Sequence, residues 1–204
     1  MPLLGFINSA LAKLCANIIY IMKIGLIGKM CSGKTHVSNI LSRRCALKKF
    51  AFADKVKDIA KDLFNMKQKN RKLLQEIGQS MRDIDPNVWI NYLLYLIQEE
   101  DRVIIDDIRY PNELLALQER DFIIIKLVVD KETQRKRLME TYPETYAQHF
   151  DRLNHESETY VDVLNADFEI NSDENVIENI MKVIDPYYGK SLPSTSTISS
   201  SSFF

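Results

Sequence analysis

Short apolar runs alternate along this chain with segments whose apolar residues recur every three or four positions. Lys23-Ile24-Gly25-Leu26-Ile27 reads as a buried strand running into a glycine loop, and Val37, Ile40 and Leu41 give a helix over 36–43 its apolar face. Leu47 to Ala53 predicts a second strand, followed by a helix with Val56, Ile59 and Leu63 on one face. Asp85-Pro86 opens a further helix marked by Trp89, Leu93, Leu96 and Ile97. Val103-Ile104-Ile105 predicts a third strand, Phe122 to Val129 a fourth and Phe168 to Ile170 a fifth. Val176, Ile177, Ile180, Met181 and Ile184 supply the core face of a closing helix. Strands alternating with helices imply crossover units, hence an α/β fold with a parallel sheet covered on both faces.

The two ends read differently. Leu4, Ile7, Leu11, Leu14 and Ile18 recur at helical spacing, but Asn8, Lys13 and Asn17 break the apolar stretch, which makes a poor membrane span. A basic leader and a small-residue cleavage site are missing, so a signal peptide is not expected. Residues 1–21 are expected to be a dispensable leader, with a packed helix or interfacial anchor as the alternatives and Met22 as a candidate start. The Ser/Thr-rich tract over 189–204 is too polar to offset its ordering entropy and predicts a disordered tail; its final Phe203-Phe204 leaves a docking peptide open. A single domain is expected over 22–188.

Charge adds an exclusion. Lys and Arg number 27 against 28 Asp and Glu, so nothing favours a nucleic-acid polymer or an anionic membrane as partner. The three cysteines, Cys15, Cys31 and Cys45, lack metal-ligand spacing and suit a reducing, cytoplasmic setting. A small anionic substrate needs only a local cluster of cations.

The chemistry starts at Gly28-Lys29-Met30-Cys31-Ser32-Gly33-Lys34-Thr35, a full G-x-x-x-x-G-K-[ST] phosphate loop between an apolar strand and an amphipathic helix. Gly28 and Gly33 are expected to allow backbone conformations that turn successive N–H groups onto phosphate oxygens. Lys34 is placed to bridge the β- and γ-phosphates of ATP, and Thr35 to offer its hydroxyl to Mg²⁺. Cys31 reads as a small spacer and His36 as a helix-surface residue. At the end of the third strand, alternation puts Asp107 and Arg109 on one face and Asp106 on the other. Asp107 is the preferred carboxylate for hydrated Mg²⁺, Asp106 the second candidate, and Arg109 a phosphate ligand.

Asn-Lys-x-Asp for guanine is absent and the chain is too short for helicase or transporter machinery, which leaves a small-molecule kinase. Such a kinase gathers arginines from separate segments around the phosphates; Arg71, Arg82, Arg109, Arg135, Arg137 and Arg152 are suitably scattered.

Further segments carry a resemblance. Phe52-Ala53-Asp54-Lys55-Val56-Lys57, Arg71-Lys72-Leu73-Leu74-Gln75-Glu76-Ile77-Gly78, and Arg82 with Asp85-Pro86 and Trp89 run in order with Asp107-Ile108-Arg109-Tyr110-Pro111-Asn112-Glu113, His155-Glu156-Ser157-Glu158 and Ile170-Asn171. In this succession the chain resembles the deoxynucleoside monophosphate kinases of phages and large DNA viruses, relatives of dephospho-CoA and phosphomevalonate kinases. Lys55 and Glu156 depart from the pattern, each where the family often has proline.

The resemblance implies a five-stranded parallel P-loop fold with a substrate-binding region about 54–98 and a lid about 131–160. It implies ATP and Mg²⁺, and phosphorylation of a deoxynucleoside monophosphate by a monomer or homodimer, in the host cytoplasm if the source is viral. Asp54 and Lys57 would face the acceptor, Arg71 and Arg82 would grip its phosphate, and Gln75 would read a base edge. Trp89 would stack on a base, with core packing as the alternative. Glu113 would order Arg109 or touch the sugar. Arg135 or Arg137 would close over the transferring group with Arg152 joining from the far side of the lid, one of the set being a surface residue. His155 would bond within the lid hinge, and Asn171 would close the adenine pocket or cap a loop. Dephospho-CoA or phosphomevalonate as acceptor, and a non-catalytic nucleotide-binding module, are the rival readings.

Overall fold

The computed structural model describes residues 21–151, 156–172 and 175–186. Residues 1–20 of the leader, the tail, Arg152 and His155 lie outside the described residues. In chain order the elements are β1 (Met22–Gly28), α1 (Lys34–Arg44), β2 (Lys48–Phe50), α2 (Ala53–Phe64), α3 (Arg71–Ile84), α4 (Val88–Leu96), β3 (Arg102–Ile108) and α5 (Pro111–Gln118). They continue as β4 (Ile123–Val128), α6 (Lys131–Thr141), α7 (Tyr146–Asp151), α8 (Glu156–Val163), β5 (Phe168–Asn171) and α9 (Val176–Ile184).

All five strands are parallel, in the order β2-β3-β1-β4-β5. The chain leaves central β1, passes out to edge strand β2, returns to β3 beside β1, and only then crosses to β4 on the other side. The crevice at a reversal of this kind, beyond the carboxyl ends of the strands, is where open α/β sheets hold ligands. Here it lies beyond the ends of β1, β3 and β4.

Strand alternation feeds two cores. Val103, Ile105, Ile108 and Ile124 pack with Val56, Trp89, Leu93 and Leu117 under the layer of α2, α4 and α5. Ile24, Leu26, Ile104, Ile125 and Leu127 pack with Val37, Leu41, Ile180 and Ile184 under α1 and α9. The near-continuous apolar runs of β1, β3 and β4 follow from burial on both sides.

Some expectations shift. The second strand shortens to three residues, because the chain turns into α2 at Ala53. The inner face of α2 runs through Val56 and Ala60 while Leu63 is 76% exposed. In α4, Leu96 is turned out and Ile97, at its C-cap, is buried. Helices α3 and α5 and the division of the lid go beyond the pattern reading. Among the described residues, no helix is long and apolar enough to cross a membrane.

Candidate active site

The loop between β1 and α1 is shaped by two glycines for different reasons. Gly33 takes φ 88°, a left-handed conformation that a side chain would strain, and from it α1 begins. Gly28 has no such φ. Its requirement is space, since a Cβ there would lie 2.5 Å from Ser32 Oγ and 3.0 Å from the Leu127 carbonyl oxygen. Cys31 also adopts positive φ, 62°, so the spacer position is a conformational one. Ser32 is fully buried, and its N–H donates to the Lys29 carbonyl at 3.1 Å. Lys34 Nζ lies inside the turn, donating to the carbonyls of Gly28 and of Lys29, the latter at 2.8 Å. Thr35 is exposed on the first turn of α1.

Helix α6 is started by Asp130, whose carboxylate accepts from the N–H groups of Glu132 and Thr133, both at 2.9 Å. Gln134 reaches the loop, Nε2 donating to the Met30 carbonyl at 2.7 Å. One turn on, Arg137 Nη1 lies 3.5 Å from the Cys31 carbonyl and 2.9 Å from Ser172 Oγ, and its Nη2 donates to the Ser172 carbonyl at 2.8 Å. Arg135 points elsewhere, over the Phe150 ring at 5.1 Å. Of the two α6 arginines, then, Arg137 is at the loop. A cleft of about 360 Å³ opens between loop residues Cys31 and Gly33, His36 and Val37 of α1, Thr141 of α6, and Ser172 and Val176. Asn171 pairs with Val128 at the end of β5 and is exposed, while the next residue, Ser172, lines the cleft.

The other side of the loop belongs to α3. Arg71, Gln75, Gly78 and Arg82 recur along one face, while Leu73, Leu74, Ile77 and Met81 pack into the core. Arg71 donates to the Tyr142 hydroxyl at 3.0 Å and reaches to 4.0 Å from Met30 Sδ. Arg82 lies 4.3 Å over the Tyr110 ring and 3.3 Å from Glu113 Oε1. Gln75 is exposed between them. Trp89 is not available to a base: it is 3% exposed in the core, and its indole N–H donates to the Gly78 carbonyl at 3.1 Å.

The paired aspartates part company at the end of β3. Asp107 turns to the α2 layer, where its two oxygens accept the N–H groups of Phe52 and Ala53, each at 2.9 Å. It is thus a cap on α2 supplied by another strand. Burial pushes its pKa up, against the two amide bonds that pull it down. Asp106 turns to the α1 layer, where Ser38 Oγ donates to Oδ2 at 2.6 Å and Lys49 Nζ lies 2.7 Å from the same oxygen. The carboxylate on the side of the helix that carries Thr35 is therefore Asp106, the second candidate of the sequence reading.

Glu113 is 3% exposed and accepts the Arg109 N–H at 2.9 Å and that of Tyr110 at 3.1 Å. Burial lifts its pKa to about 7 in spite of these bonds and of Arg82. Asp54 is exposed and pairs with Lys57 at 2.7 Å. Burial alone would lower the Lys57 pKa, but the Asp54 bond, with Asp107 and Asp106 nearby, outweighs it and raises it. Lys69 moves the other way, pushed down by partial burial and then by the charges of Arg71, Lys57 and Arg109. Gln134, Ser38, Lys49, Tyr142, Lys69 and Ser172 escape the sequence reading. Only Gln134 carried a signal, standing one helical turn before Arg137 on the same face.

Solved structures share this fold. A gluconokinase from Sinorhizobium meliloti 1021 is 11% identical, with TM-score 0.54 over 83% of this chain and 94% of that one. TT1252 from Thermus thermophilus is 16% identical, with TM-score 0.53 over 81% and 96%. An uncharacterized protein from Eubacterium ventriosum ATCC 27560 is 17% identical, with TM-score 0.52 over 82% and 98%. No curated protein sequence matches the chain. The AAA_18 profile, described as an AAA domain, matches residues 24–161, from β1 and the glycine-rich loop after it through β3 and α6 to α8. By that match over most of its length, the chain belongs to the AAA domain family.

Proposed function

We propose that this protein is a kinase that transfers the γ-phosphoryl group of ATP to a small phosphorylated acceptor, a deoxynucleoside monophosphate. The observation that carries the reading is a knot of cations beside the loop. The Lys69 pKa is depressed first by desolvation and then by the positive charges of Arg71, Lys57 and Arg109, of which Lys57 is paired with Asp54. Like charges massed at one place repel, and an anion in their midst relieves that cost. Arg71 also touches Met30 and Tyr142, which ties the knot to the phosphate loop and the lid.

The donor side fits a triphosphate. The left-handed turn at Cys31 and Gly33, the start of α1 and the Lys34 ammonium supply converging donors for phosphate oxygens. The cleft between His36, Thr141 and Ser172 is the place for the base. The Thr35 hydroxyl and Asp106 suit Mg²⁺. Mg²⁺ keeps several waters and leans on phosphate oxygens, so a few side-chain oxygens beside a triphosphate suit it. When bound, Mg·ATP supplies the phosphoryl group with its charge partly neutralised.

The chain's own residues then position the reactants. Lys34 and Arg137 face the donor phosphates from loop and lid, and Arg71 and Arg109 hold the acceptor phosphate opposite. Gln134 draws α6 onto the loop and helps exclude water. An acceptor phosphate is ionised near neutral pH, so Asp54, exposed and paired with Lys57, serves to orient and is not required as a base. The choice of a deoxynucleotide rests on the motif succession and on Gln75, which lies between Arg71 and Arg82 on one face of α3. The test is ADP release with the four common deoxynucleoside monophosphates, ribonucleotide controls, dephospho-CoA and phosphomevalonate. Turnover with a deoxynucleotide above the ATPase background supports the reading. Turnover confined to dephospho-CoA or phosphomevalonate overturns the acceptor, and none with any acceptor overturns the kinase.

A further inference from the structure

Asp106 carries an unusual partner for a carboxylate assigned to a metal. In the parallel pairing of β2 with β3, Lys49 stands opposite Ile104, so both side chains face the α1 layer, as Asp106 does two residues on. Lys49 Nζ reaches Asp106 Oδ2 at 2.7 Å, and Asn39 Oδ1 of α1 accepts from the same ammonium at 3.2 Å. The lysine side chain is 30% exposed and the aspartate side chain 9%, so water and salt screen the pair incompletely. Ser38 Oγ also falls on Oδ2, at 2.6 Å. Both contacts thus gather on one oxygen and hold the carboxylate plane, and Oδ1 carries neither.

We propose that Lys49 is a gate on the metal site: it neutralises Asp106 and repels a bare divalent cation, so the metal is retained only when it arrives with the triphosphate. This rests on the reading of Thr35 and Asp106 as the Mg²⁺ residues. A lone divalent ion meets a carboxylate whose charge is already matched, with an ammonium close by. An ion carried by a triphosphate brings compensating negative charge, which offsets the repulsion from the ammonium. Lys49 acts through Asp106 and is a positioning residue.

Mn²⁺ binding to the full-length protein without nucleotide, followed by loss of the free-ion paramagnetic resonance signal, tests the gate. Lys49→Met and Lys49→Gln are expected to bind Mn²⁺ at least about tenfold more tightly than the parent, a gain of about 1.4 kcal/mol. Lys49→Arg, which keeps the charge, is expected to stay at the parental affinity. Adding Asp106→Asn to Lys49→Met is expected to erase the gain. A merely structural lysine would not improve metal affinity when removed, and melting curves identify any variant that fails to fold. Parental affinity in both neutral variants, with Asp106→Asn still weakening binding of Mn·ATP, overturns the gate and leaves the metal site standing. Undiminished Mn·ATP binding by Asp106→Asn removes the metal assignment and the gate together.

Discussion

Glu113 makes the stability of this fold depend on pH in a direction opposite to that of an ordinary ion-paired acid. The side chain is 3% exposed and is bonded to the amides of Arg109 and Tyr110, with Arg82 at 3.3 Å. Burial nevertheless raises its pKa from 4.5 to about 7. Below the lower value both folded and unfolded chains hold the proton, and the stabilising contribution is complete. Between the two values the folded protein keeps a proton that the unfolded chain has released, so stability falls as pH rises, and the contribution is gone above the folded pKa. A shift of this size corresponds to about 3 kcal/mol at about 1.36 kcal/mol per unit. Urea midpoints for the parent and for Glu113→Gln, taken from about pH 5 to pH 8, isolate this residue, because other groups cancel in the difference. The parent is expected to lose about 2–3 kcal/mol relative to the variant across that range. Parallel profiles would refute the reasoning.

Other outcomes follow from single contacts. Asp107→Ala leaves the Phe52 and Ala53 amides at the start of α2 without their acceptors and is expected to destabilise the fold by about 2–4 kcal/mol in urea titrations; an unchanged midpoint would remove the capping role. Trp89→Phe, which deletes the bond to the Gly78 carbonyl, is expected to cost about 1–3 kcal/mol with the acceptor KM unchanged. A raised KM at parental stability would return the ring to the acceptor site. Arg137→Ala is expected to lower kcat/KM for ATP by about 10- to 100-fold, the equivalent of losing one or two charge-assisted bonds. Arg135→Ala, removing a cation from over Phe150, is expected to leave it within about twofold, and equal losses in the two variants would contradict the assignment.

Apolar runs located the five described strands, most cleanly β1, β3 and β4, which are buried on both sides, and less well the exposed edge strand β2, which is shorter than expected. Periodicity passed over α3, whose apolar face shares its helix with the polar stripe Arg71–Gln75–Arg82, and α5, which has only eight residues. The phosphate loop was fully legible, since its spacing is imposed by the turn itself. Alternation also revealed that Asp106 and Asp107 point to opposite layers. Which layer holds α1, and so which of the two carboxylates lies beside it, is a matter of chain crossover, not of local pattern. The same holds for Arg135 and Arg137: composition marks both, and only the packing of α6 on the loop selects one. Trp89 stood between core and site because its helix is apolar on most sides, and burial with a bonded indole decides for the core. Contacts such as Lys49 to Asp106 join residues far apart in sequence and carry no local signature.

Everything proposed for the site depends on the loop from Gly28 to Thr35 holding a triphosphate. Isothermal titration of the folded, full-length protein with Mg·ATP measures that directly. The expected result is saturable binding at one site per chain, lost in Lys34→Ala while the melting curve of that variant stays cooperative. An absence of binding by the intact parent, or undiminished binding by Lys34→Ala, would contradict the account.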